Sequence, residues 1–95
     1  MNVKTLLLAA TMLAGGGPTT DFVYTCEGMP PVIVRFAGNA AELRIGQRDL
    51  TLPQGRSGSG ARFTDGKRVF WIKGNEATFD SGDGAPKACR LTGRG

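Results

Sequence analysis

From Val32 onward, apolar side chains recur at every second position in runs of only a few residues, and the runs are punctuated by glycine-bearing turns. No other feature of the chain constrains its fold as tightly. Val32, Val34 and Phe36 alternate with Ile33 and Arg35; Leu43 and Ile45 alternate with Glu42 and Arg44; Leu50 and Leu52 alternate with Asp49 and Thr51. Val69 and Trp71 share one face, Phe70 and Ile72 the other; Ala77 and Phe79 alternate with Glu76, Thr78 and Asp80, and Cys89 and Leu91 flank Arg90. A period of two is a strand with one buried face, and no window sustains the 3.6-residue period of a helix. Gly38-Asn39, Gly46-Gln47, Asp65-Gly66, Gly74-Asn75 and Gly82-Asp83-Gly84 separate the runs. These residues accept the positive φ of tight hairpins. So many short strands in 95 residues favour closure, because a closed sheet has no exposed edge. The expected fold is all-β: a small antiparallel β-barrel of about eight strands. Parity with Val69 puts Trp71 in the expected core, together with Tyr24 and Phe36.

Residues 1–17 stand apart from this pattern. Lys4 supplies a positive start, Leu6 to Ala14 an apolar stretch, and Ala14 to Gly17 the small residues that end it. That order is a secretory signal peptide, and the apolar stretch is too short to span a bilayer. The domain proper is then residues 18–95. A lipid-attachment signal needs small residues just before its cysteine, but Val23-Tyr24-Thr25 precede Cys26. The expectation is a soluble periplasmic or secreted protein with no membrane anchor after cleavage. An oxidising compartment pairs the two cysteines, and Cys26–Cys89 is the only pairing two cysteines allow. In the loop-closure picture such a bond contributes roughly 4 kcal/mol, a large share of the stability of so small a domain.

Composition narrows the chemistry. Histidine is absent, which removes the common triads, imidazole acid–base catalysis and most zinc catalysis. No metal site or cofactor is expected. The formal charge of +4 invites a nucleic-acid reading. Without Lys4, however, 11 basic residues face 8 acidic ones, and the acidic residues are spread along the chain. No single-sign stripe results, and export separates the protein from cytoplasmic nucleic acid. Glu76 with Asp80, or Asp80 with Asp83, could form a glycosidase-like carboxyl pair. Nothing else in the chain supports catalysis, so no enzymatic activity is expected.

Pro53 to Gly60 (PQGRSGSG) carries no apolar side chain. It reads as a flexible loop on composition, or as a presentation loop on a rigid barrel. Around it the sequence stops being generic. Ser57–Phe63 (SGSGARF), Phe70–Ala77 (FWIKGNEA), Tyr24-Thr25-Cys26 and the late Cys89 keep an order and spacing that resembles the periplasmic and membrane-bound inhibitors of c-type lysozyme, the MliC/PliC family. The resemblance covers essentially all of residues 18–95.

It implies a small barrel that plugs the lysozyme cleft and so aids evasion of host defence; a monomer is the simplest expectation. The family's Ser-Gly-x-x-Tyr motif falls on Ser59-Gly60-Ala61-Arg62-Phe63, and its Lys-Gly motif on Lys73-Gly74. Carried over, Ser59 and Lys73 are the inhibitory pair, with Gly60, Gly74, Arg62 and Phe63 around them. The pair suits its target, since lysozyme cleaves with two carboxyl groups. An ammonium and a hydroxyl offer those groups charge-assisted and neutral hydrogen bonds. Three positions depart from the family pattern: Phe63 for Tyr, Ile72 for a hydroxyl residue, and Arg68 where a Tyr is expected. Losing those hydroxyls predicts a less firmly held Lys73 and weaker inhibition. A basic inhibitor meeting a basic lysozyme also implies a salt-dependent encounter. The competing reading is an extracytoplasmic module for another envelope ligand.

Overall fold

The computed structural model describes residues 20–95, and the expected signal peptide lies outside the described residues. Eight strands follow one another: β1 (Phe22–Cys26), β2 (Val32–Ala37), β3 (Ala40–Ile45), β4 (Arg48–Pro53), β5 (Ala61–Thr64), β6 (Val69–Lys73), β7 (Glu76–Asp80) and β8 (Lys87–Arg94). They form one antiparallel sheet in the order β4-β3-β2-β1-β8-β7-β6-β5. Each neighbour is also the next strand in sequence, except at the β1–β8 seam. There two four-stranded meanders lie side by side. The sheet curls into a nearly closed barrel. Between β4 and β5 only a bridge of Gln54 to Phe63 and a bond from the Gly55 amide to the Arg62 carbonyl (2.7 Å) continue the pairing.

The sequence alternation becomes an inside and an outside. Tyr24, Val32, Val34, Leu43, Leu52, Phe70, Ala77 and Phe79 are buried, with Phe70, Leu43, Leu52, Val32 and Val34 the largest fully enclosed. Aromatic rings fill the middle: Tyr24 meets Phe70 edge-on at 5.2 Å, and Phe70 meets Phe79 at 6.4 Å. Edge-to-face pairing matches the rings' quadrupoles and adds to their burial. No buried side-chain polar atom among the described residues lacks a hydrogen-bond partner.

Two expectations about the core fail. Phe36 keeps the inward parity of Val34 but lies beside the β2–β3 turn, where the barrel opens. It packs on Phe22 and Phe63 (5.6 and 5.5 Å) and remains 40% exposed. Trp71 does share a face with Val69, but that face is the outer one. Phe70, fully buried, takes the interior instead. Both faces of Val69–Ile72 are apolar, so alternation identified the partners and left the inward side open.

The expected disulfide is present. Cys26 and Cys89 are register partners across the β1–β8 seam, with Cα atoms 4.0 Å apart at a sequence separation of 63. At the far end of β5 the Asp65-Gly66 hairpin is built around one carboxylate. Asp65 accepts from the amides of Arg68 (2.7 Å) and Lys67 (2.9 Å) and pairs with the Arg68 guanidinium at 3.0 Å. The Arg68 and Lys67 amides hold its carboxyl below the usual value.

Replacing both cysteines by alanine is expected to lower the unfolding free energy by about 4 kcal/mol, read as a lower urea midpoint. An unchanged midpoint would show that the seam holds without its cross-link. The depressed Asp65 value means that its stabilisation is complete above the unfolded carboxylate value near 4 and is lost as pH falls through the folded value. The melting temperature should therefore drop between pH 5 and pH 2, and drop less in Asp65→Asn.

Candidate functional site

In an antiparallel meander, alternate connections fall at opposite ends. The β1–β2, β3–β4, β5–β6 and β7–β8 turns share one end of the barrel. The β2–β3 turn, the Pro53–Gly60 loop, the β6–β7 turn, the start of β1 and the end of β8 share the other. Ser59, Gly60, Lys73 and Gly74 therefore meet at one end although they come from different connections. Arg68, another of the departures, closes the hairpin at the opposite end. It lies about 17 Å along the strand from Lys73, too far to touch it.

The Pro53–Gly60 loop is tied down, contrary to what its composition suggests. The Gln54 amide donates to the Asn39 carbonyl at 2.8 Å, and the Arg62 guanidinium donates to the Arg56 carbonyl at 3.4 Å. The Ser57 hydroxyl donates to the carbonyls of Ser59 and Gly60. The indole Nε1–H of Trp71 then clamps the tip, donating to the Ser59 carbonyl at 2.9 Å. Gly60 lets the loop come this close. Its φ is +68°, and a Cβ there would stand 2.2 Å from the Ile72 carbonyl oxygen and 2.9 Å from Lys73 Cγ. No other residue fits that approach.

Trp71 is also the platform for the cations. The Lys73 ammonium stands 4.5 Å from the ring centroid and the Arg62 guanidinium 5.8 Å. Both lie within cation–π reach, worth about 0.5–1 kcal/mol at exposed sites. Lys73 is exposed, and its register partner Glu76 is engaged by Arg90 at 3.5 Å. No carboxylate among the described residues pairs with the Lys73 ammonium, and the Ser59 hydroxyl makes no hydrogen bond among them. An uncommitted cation and an uncommitted hydroxyl thus stand on one clamped support. Below them a shallow groove of about 440 Å³ runs over the outer face, lined by Trp71, Lys73, Glu76, Thr78, Arg90 and Thr25 among others.

The other expected site residues divide. Gly74 forms the β6–β7 turn with φ +64°. Arg62 is half-buried and braces the loop. Phe63 is only 6% exposed and packs on Phe36 inside the barrel, so it supports the loop from beneath and offers no contact surface. Ile72, in place of a hydroxyl residue, packs against the core. Sequence reasoning missed Trp71. The indole N–H was the available signal, because a polar donor in a strand with two apolar faces favours the side where it finds an acceptor.

The rival carboxyl pairs find no support in this geometry. Glu76 and Asp80 are separated by four strand positions, about 13 Å, beyond the roughly 5–9.5 Å of glycosidase pairs. Asp80 accepts from the amides of Gly82 and Gly84, and Asp83 from that of Ala85. Among the described residues no group of three or more His, Cys, Asp or Glu side chains could hold a metal ion.

The chain is similar to two curated proteins, each named membrane-bound lysozyme inhibitor of C-type lysozyme. One, from Escherichia coli (strain K12), is 69% identical over 62 residues, covering 63% of this chain and 56% of the relative. The other, from Yersinia enterocolitica, is 36% identical over 55 residues, covering 57% of this chain and 47% of the relative. The chain thus spans about half the length of the curated relatives it matches. No solved structure matches. The family model described as membrane-bound lysozyme-inhibitor of c-type lysozyme matches residues 24–88, from the buried Tyr24 through the loop and Lys73 to the last strand. The chain therefore belongs to that family.

Proposed function

We propose that this protein is an inhibitor of c-type lysozyme and that it seats Lys73 and Ser59 against the two carboxyl groups of the enzyme's cleft. The observation that carries this reading is the Trp71 platform. One indole clamps the Ser59 loop tip through its N–H and stacks beneath the Lys73 ammonium through its ring. Both groups are held before the partner arrives, which limits the entropy lost on binding. The firm hold also answers the missing hydroxyls at Phe63 and Ile72, since the indole braces Lys73 without them.

The protein acts by occupancy and performs no reaction itself. Lysozyme's carboxylate accepts from the ammonium, a charge-assisted bond of the stronger kind, and its protonated partner makes a neutral hydrogen bond with the serine hydroxyl. A single barrel suffices, so binding is one-to-one and the inhibitor is monomeric. Contact with lysozyme requires an envelope or extracellular location. The relatives carry "membrane-bound" in their names, but Cys26 is spent in the disulfide and is not free for acylation here. No described helix is long and apolar enough to cross a membrane. We therefore favour a form not lipidated at Cys26.

The test is a lysis assay with purified protein and its variants. Lys73→Ala is expected to weaken inhibition about tenfold or more, as an interface hot spot does. Ser59→Ala should weaken it less. Trp71→Phe keeps a ring under Lys73 but loses the donor to Ser59, and should weaken inhibition with the melting temperature preserved. Full inhibition by both Lys73→Ala and Ser59→Ala would remove the site assignment. No inhibition of several c-type lysozymes by the unaltered protein would favour the alternative, a binding module for another envelope ligand.

A further inference from the structure

The end of the barrel opposite Lys73 carries a second concave site with a different chemistry. It is a mouth of about 480 Å³ whose floor includes Met29, Ile45, Leu50 and Phe79. Four cationic residues line it: Arg48, Lys67, Arg68 and Lys87. They come from three separate connections, so only the folded barrel gathers them. No carboxylate lines it. Of the acids beside it in sequence, Asp49 is paired with Arg44 at 2.8 Å, and Asp65, Asp80 and Asp83 are engaged by turn amides. Of the four cations only Arg68 has a carboxylate partner among the described residues, Asp65 at 3.0 Å.

One of the unpaired cations is held in place. The Lys67 stem lies across Gly82, so closely that a Cβ there would come within 2.8 Å of Lys67 Cγ and 3.1 Å of Cε. The β5–β6 hairpin and the β7–β8 loop therefore meet through this stem. Three unpaired cations around an apolar floor make a local positive potential, strengthened by the low-dielectric surface beneath them. Such a site complements an anion joined to an apolar body. Water or a free inorganic ion would leave the floor uncovered.

We propose that this mouth binds the phosphate-bearing headgroup of an anionic lipid, with Lys67, Lys87 and Arg48 on the phosphate and the first acyl carbons over Met29, Ile45 and Leu50. The site is independent of the lysozyme reading, because it occupies the other end of the barrel. A protein held there by lipid would present Lys73 and Ser59 away from the lipid surface.

The test is co-sedimentation with vesicles of phosphatidylcholine alone and of phosphatidylcholine with phosphatidylglycerol. Binding is expected only to the second. The double variant Lys67→Glu, Lys87→Glu should reduce it at least about tenfold, since each cation near an anionic surface contributes about 1 kcal/mol. The same variant should inhibit lysozyme as the unaltered protein does, if that function holds. Equal binding to both vesicles, or undiminished binding by a folded double variant, would overturn the proposal. So would binding of inorganic phosphate that fully displaces the protein from vesicles at millimolar concentration, which would assign the mouth to a free anion.

Discussion

The pairing of β1 with β8 is the constraint on which the rest of the structure depends. Every other strand pair is a hairpin whose partners are neighbours in sequence, and such local pairings cost little loop entropy. The β1–β8 seam instead joins the two ends of the domain and turns two meanders into one curved sheet. The Cys26–Cys89 bond sits within that seam at directly opposed positions. With a core of only a few large side chains, a covalent seam replaces burial that a bigger domain would have. Closure on the far side needs only a bridge at Gln54 and Phe63, because the seam already sets the curvature.

Once the seam is made, the meander separates two chemistries by simple alternation of connections. One end receives the long loop and the Lys73 turn, with an aromatic platform and the partly exposed Phe36 at its rim. The other receives the Asp65 hairpin and the Asp80–Lys87 loop, with its basic rim over an apolar floor. The net charge is modest, so neither end owes its character to overall composition. Each owes it to which carboxylates are already occupied. Glu76 is taken by Arg90, and Asp65, Asp80 and Asp83 by backbone amides, and this leaves Lys73 on one end and Lys67 and Lys87 on the other without carboxylate partners among the described residues.

Trp71 links fold to proposed function. Its position on the outer face costs the barrel a large apolar side chain, which Phe70 replaces inside. In return the indole joins the Ser59 loop tip to the platform beneath Lys73. Phe63 and Gly60 support it from below, one by filling the barrel and the other by letting the chains approach. The departures at Phe63 and Ile72 are absorbed into the core rather than left as defects at the site.

The sequence by itself determined the strands, their antiparallel sense, the turns and the cysteine pair. Alternation and turn chemistry are local properties, and two cysteines permit a single bond. The resemblance of its motifs also marked Ser59 and Lys73 as candidates. Tertiary structure decided which face of β6 points inward, because Val69, Phe70, Trp71 and Ile72 are all apolar and parity cannot rank two apolar faces. It decided that Phe36, inward by parity, ends at an open rim, since strand length says nothing of where a barrel stops enclosing its contents. It turned a glycine-rich loop of flexible composition into a clamped one through an indole twelve residues from the serine it holds. It also gathered the basic rim, whose members lie up to 39 positions apart in the chain. Each of these outcomes depends on contacts between residues distant in sequence, and only closure of the sheet brings them together.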